Sequence, residues 1–95
     1  MADVSNAKIF YIGPTEVDPV TLKKKVIIRV IDSLGKKTTY IVHQNKKYTF
    51  DEVHKFELNY YKKGDIIDFY FNKSNGDEFP DIWRIVNHKS KILNE

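Results

Sequence analysis

Two alternating runs, TLKKKVIIRVID and KTTYIVHQ, stand one tight turn apart, and this pair constrains the chain more than any other feature. In the first run Val26, Ile28 and Val30 fall on one side of an extended strand, and Lys25, Ile27, Arg29 and Ile31 on the other, because side chains of a strand alternate. The β-branched content suits a pleated, half-buried surface. In the joining DSLGKK, Asp32 and Ser33 open a turn and Gly35 supplies the positive φ that a type I turn with a G1 bulge requires. The pair predicts an antiparallel hairpin with one apolar face and one mixed face.

Charge concentrates on the same segment. Between positions 19 and 50 the bases Lys23, Lys24, Lys25, Arg29, Lys36, Lys37, Lys46 and Lys47 face Asp32 alone, while the flanking segments carry more acids than bases. The overall charge of +3 hides this asymmetry. Lysines along a strand edge discourage aggregation, and lysines on one wall also attract polyanions; the tally suits both.

The remaining elements follow from period and punctuation. AKIFYIGPTEV reads as a first strand, ended or bent at Gly13-Pro14, because proline lacks the N–H that a ladder needs. YTFDEVHKFELNYY changes to a helical period, with Phe50, Val53, Phe56 or Glu57, and Tyr60 at spacings of three and four. Thr49 and Glu52 are placed for a capping box. The corner Lys62-Lys63-Gly64-Asp65 ends it. In IIDFYFN, Ile67, Phe69 and Phe71 then alternate with Ile66, Asp68 and Tyr70, and IWRIV closes the pattern after a turn-rich loop. Consecutive Tyr60 and Tyr61 cannot both face a core from helical positions, so one ring is expected inside and one outside.

Ninety-five residues, 41% hydrophobic and 14% aromatic, suit one packed domain over 1–95, with 1–6 and 88–95 as loose ends. Five strands with a short helix between the third and fourth form the chain order of the OB-fold, a five-stranded, partly open Greek-key barrel. That mainly β barrel is the expected fold. A closed SH3-like barrel is the alternative arrangement of the same elements.

The motifs also carry a resemblance. KKKVIIRV, then ELNYYKKGD, then IIDFYFN, then WRI, spanning about Lys23 to Ile85, resemble short bacterial OB-fold proteins of the single-stranded-DNA-binding-like type. The resemblance implies a barrel whose second and third strands bind single strands. The loop NKSNGDEFPD departs from it, carrying three acids where such proteins tend to be basic or aromatic.

Little in the chain points to catalysis. With no cysteine, neither a disulfide nor a cysteine-ligated zinc site can form, and the composition is compatible with the cytoplasm, where the protein is expected. His43, His54 and His88 lack metal-ligand spacing, and the NKSNGDEF loop fails a calcium pattern because Phe71 occupies the first ligand position. No phosphate-cradling glycine motif or nucleophile signature occurs. No cofactor, small-molecule substrate or membrane partner is expected, and no run approaches 18 apolar residues.

Single strands are gripped by cations for phosphates and ring faces for bases. Lys23, Lys24, Lys25, Arg29, Lys36 and Lys37, with Tyr40 and a first-strand ring, Phe10 or Tyr11, are the candidate contacts. The core has a prior claim on Tyr40, Phe10 and Trp83, since rings in small domains are more often buried than presented. The expected function is a non-catalytic module for single-stranded DNA or RNA with little sequence preference. The alternative is a protein-interaction module, such as a phage or plasmid factor docking on a host enzyme or adaptor subunit. Acids at both rims, Glu16 and Asp18 in the first loop and those beside Phe79 in the later one, favour that alternative.

Overall fold

The computed structural model describes residues 2–44, 51–72 and 81–89. In chain order the elements are β1 (Val4–Ile12), β2 (Glu16–Val17), β3 (Lys24–Ile31), β4 (Lys37–His43), α1 (Glu52–Glu57), β5 (Ile66–Asn72) and β6 (Asp81–Asn87). Every pairing is antiparallel. Gly13-Pro14 divides the expected first strand into β1 and β2. Both halves lie along the same edge of β3, β2 opposite Lys24 and Lys25 and β1 opposite Ile28 to Ile31.

The hairpin forms as its turn chemistry dictates. Gly35 takes φ 85°, and the Asp32 carboxylate accepts from the backbone N–H of Leu34 and of Lys36, both at 2.9 Å. Val26, Ile28 and Val30 are buried, and the register places Val42, Tyr40 and Thr38 opposite them on the same face. Ala7, Ile9, Ile67, Phe69, Ile82 and Ile85 complete the sheet's share of the core, and Val53, Phe56 and Tyr61 cover it from α1 and the turn that follows.

The expected barrel is not what forms. Pairing runs β2-β3-β1-β5-β6, with β4 on the far edge of β3, and among the described residues no ladder joins β4 to β6. The sheet is therefore open, which overturns the OB-fold barrel, the closed SH3-like alternative and the fold implied by the resemblance. A barrel needs backbone bonds between its first and last strands at a consistent tilt and stagger. Here β4 instead meets β5, from which β3 and β1 separate it in the sheet's order, through side chains across the core. The Tyr40 ring of β4 lies 5.1 Å from that of Phe69 and 5.8 Å from that of Phe71.

Two local expectations also change. The helix is capped by Asp51, whose carboxylate accepts from His54 N–H, and Thr49 lies outside the described residues. Glu52, read as the capping-box acid, is buried and accepts instead from the Tyr61 hydroxyl and from Lys55. In β6 a register shift between the Tyr70 and Phe71 pairings breaks the alternation, so that Ile82 and Ile85, three apart, both face the core. The Trp83 side chain and the loop 73–80, with its acids and Phe79, lie outside what is described. The first segment is tied down from Asp3, whose N–H donates to Phe69 and whose carboxylate accepts from Phe71 N–H. Among the described residues no helix is long and apolar enough to cross a membrane.

Candidate functional site

The face of β1, β3 and β4 turned away from the core is built by one irregularity. Ile9 pairs with Val30 and Tyr11 with Arg29, so β1 advances two residues while β3 advances one, leaving Phe10 as the extra residue of a bulge. Strict alternation would give Tyr11 to the core side beside Ile28. The extra residue shifts the phase, so Ile12 takes that inner position and Tyr11 joins Arg29 on the outer face, 42% exposed.

Phe10 emerges on the same side. The Arg29 guanidinium carbon lies over its ring at 5.0 Å from the centroid and the Lys37 ammonium at 5.6 Å. Two cations thus lie against one aromatic ring, an arrangement stabilised by the ring quadrupole. Neither cation pairs with a carboxylate among the described residues.

The register turns this face into a small grid. Lys37, Ile31 and Lys8 form one row across β4, β3 and β1; Thr39, Arg29 and Tyr11 form the next. Ile41 and Ile27 follow, level with Gly13, whose N–H donates to the Ile27 carbonyl at 2.8 Å. A Cβ at Gly13 would sit 3.2 Å from that carbonyl oxygen, so a side chain there would need the Ile27 backbone to give by a few tenths of an ångström. The last row is His43, Lys25 and Glu16, with the Lys25 ammonium 3.9 Å from the Glu16 carboxylate. Among the described residues, four cations therefore stand on this grid against the carboxylate of Glu16.

The sequence candidates divide accordingly. Phe10, Tyr11, Lys25, Arg29 and Lys37 come together on the outer face. Lys23 and Lys36 are exposed at opposite ends of β3, in the turns that enter and leave it. Lys24 projects to the other side, where its ammonium lies 3.3 Å from the Glu57 carboxylate of α1. Tyr40 also faces the interior, half-buried against Phe69 and Phe71, and burial, assisted by the nearby charge of Asp32, pushes its phenol above the ordinary range. Lys46 and Lys47 lie outside the described residues. Lys8, absent from the sequence candidates, stands exposed on the outer face opposite Ile31. Its position two before Phe10 is the one signal that could have found it.

The rim acids have local partners. Glu16 faces Lys25, and the Asp18 carboxylate accepts from the N–H groups of Val20 and Thr21. Those two hydrogen bonds, the one from Thr21 first, hold its carboxyl below the usual range. A separate concavity of about 340 Å³ lies between α1 and β6, lined by Lys55, Tyr60, Tyr61, Arg84 and Asn87 among others. Among the described residues no three His, Asp or Glu side chains gather as metal ligands. No protein family, no curated protein and no solved structure matches the chain.

Proposed function

We propose that this protein is a non-catalytic module that binds single-stranded DNA or RNA on the outer face of β1, β3 and β4. The observation that carries the reading is the grouping of Arg29 and Lys37 on Phe10 beside the exposed ring of Tyr11. Cations supply attraction for phosphates, and an exposed ring offers every base a stacking surface worth about 1–3 kcal/mol. The reading needs no barrel, since it rests on three strands and their side chains. Fluorescence anisotropy with labelled single- and double-stranded oligonucleotides at two salt concentrations tests it. Single strands should bind better than duplex, with log affinity falling against log salt by about 0.7 for each phosphate neutralised. Equal binding of duplex, or a salt-independent signal, removes the proposal.

A protein partner is the second reading, favoured by a different observation. Val20 and Leu22 before β3 and Leu34 in the β3–β4 turn are 87%, 73% and 92% exposed, and Leu22 holds a left-handed φ of 60°. A leucine that is both strained and exposed contributes nothing to the core, which directs attention to a surface role. Recovery of one stoichiometric partner that survives nuclease treatment, and is lost on Leu22→Ser, would support it.

A further inference from the structure

Resting on the single-strand reading, we propose a division of labour between the two adjacent rings of the β1 bulge. Phe10 is a positioning residue that holds Arg29 and Lys37 together as a phosphate-contacting pair, and Tyr11 is the ring that stacks on a base.

The geometry separates their roles. The ring of Phe10 is occupied: Arg29 and Lys37 come from different strands and reach it, at 5.0 and 5.6 Å from its centroid. A base could stack there only by displacing a cation. Tyr11 has no such cover among the described residues and is 42% exposed. Its position opposite Arg29 sets it beside the cation pair rather than beneath it. The bulge makes this possible, because one extra residue lets two consecutive rings leave the core side together.

The physical gain lies in preorganisation. Free Arg and Lys side chains each carry substantial rotamer entropy, much of it lost when they close on a phosphate. A ring that already gathers both heads lowers that loss. A guanidinium packed over a ring also keeps its donors in the plane of the fork, where phosphate oxygens meet them.

The test uses the full chain with two labelled probes, an oligothymidylate and an abasic strand of equal length, each titrated at low and moderate salt. Phe10→Leu should weaken both probes by about three- to tenfold and flatten the salt slope by about 0.7 for each phosphate no longer neutralised. Phe10→Tyr, which keeps the ring, should restore both. The double variant Arg29→Gln with Lys37→Gln leaves the ring in place and should reproduce the Phe10→Leu pattern, so the result does not depend on packing at position 10. Tyr11→Ala should weaken only the oligothymidylate, on the order of tenfold, with the wild-type salt slope intact. If Phe10→Leu instead erases only the preference for the base-bearing strand, Phe10 is itself the stacking ring and the division is overturned. Wild-type affinity in Phe10→Leu overturns it too. A wild-type protein that binds neither probe removes the single-strand reading itself, a result distinct from either of these.

Discussion

Tyr61 anchors a buried polar cluster beneath α1. It is 4% exposed, its ring lies 4.6 Å from that of Phe56, and its hydroxyl donates to the carboxylate of Glu52, itself 3% exposed and 3.1 Å from the Lys55 ammonium. Burial first, and the neighbouring negative charge second, push the phenol far above its ordinary value. Above about pH 10 an unfolded chain releases this proton while the folded one keeps it. The folded state then binds more protons, so stability falls as pH rises. Alkaline titration followed by tyrosinate absorbance and circular dichroism should show at least one tyrosine ionising only as the fold is lost. Tyr61→Phe should remove that component of the alkaline slope, yet lower neutral stability by about 1–3 kcal/mol, because Glu52 loses a donor in a buried site. Complete titration of every tyrosine with native dichroism retained would refute the assignment. The sequence already required one of Tyr60 and Tyr61 to turn inward. It could not say which, because the helix ends at Glu57 and Asn59 takes φ 62°, so helical spacing no longer applies at the two rings. Tyr60 is the one left outside, 58% exposed.

At the scale of elements, the corner between α1 and β5 behaves as its residues dictate. Gly64 holds φ 93° and donates to the Ile9 carbonyl at 2.7 Å, while Ile9 N–H returns a bond to Asp65. The Asp65 carboxylate closes the turn on Lys62 N–H and accepts from the Asn87 amide at 2.9 Å, tying the corner to β6. Nothing lies within 4 Å of a Cβ added to Gly64, so Gly64→Ala meets backbone strain without a clash. It should lower the urea midpoint by the equivalent of about 1 kcal/mol with unchanged denaturant slope. An unchanged midpoint would mean that the chain relaxes to negative φ there without losing its ties. Gly35 and Gly64 were legible because a positive φ leaves a direct mark on the sequence. The bulges were not, since a shift of one residue in β1 or β6 depends on which strand lies alongside. Thus Tyr11 reaches the outer face by a route that alternation alone does not predict, whereas Lys8, before the bulge and between buried Ala7 and Ile9, follows the alternation.

For the whole molecule, the positions of the strands and helix followed from hydrophobic period, whereas the closure of the sheet did not. The same elements in the same order suit an open sheet and a barrel, and the choice depends on tilt and stagger between strands far apart in the chain. Charge clustering along the sequence was likewise only half a guide, because Lys23-Lys24-Lys25 is one run but strand geometry sends Lys24 and Lys25 to opposite faces. This separation makes a paired test. The Lys24–Glu57 ion pair is partly exposed, so Lys24→Gln should cost no more than about 1 kcal/mol of stability. It should leave affinity for a single strand unaltered, because the ammonium it removes stands on the helix side. Arg29→Gln should do the reverse, with the urea midpoint nearly constant, affinity reduced and the salt slope smaller by about 0.7. Both variants remove one positive charge, so net charge alone cannot separate them, and any difference reports where on the molecule the charge stands. If Lys24→Gln weakened binding as much as Arg29→Gln, the strand would have to touch both sides of the sheet, and the outer face of β1, β3 and β4 would not be the binding surface.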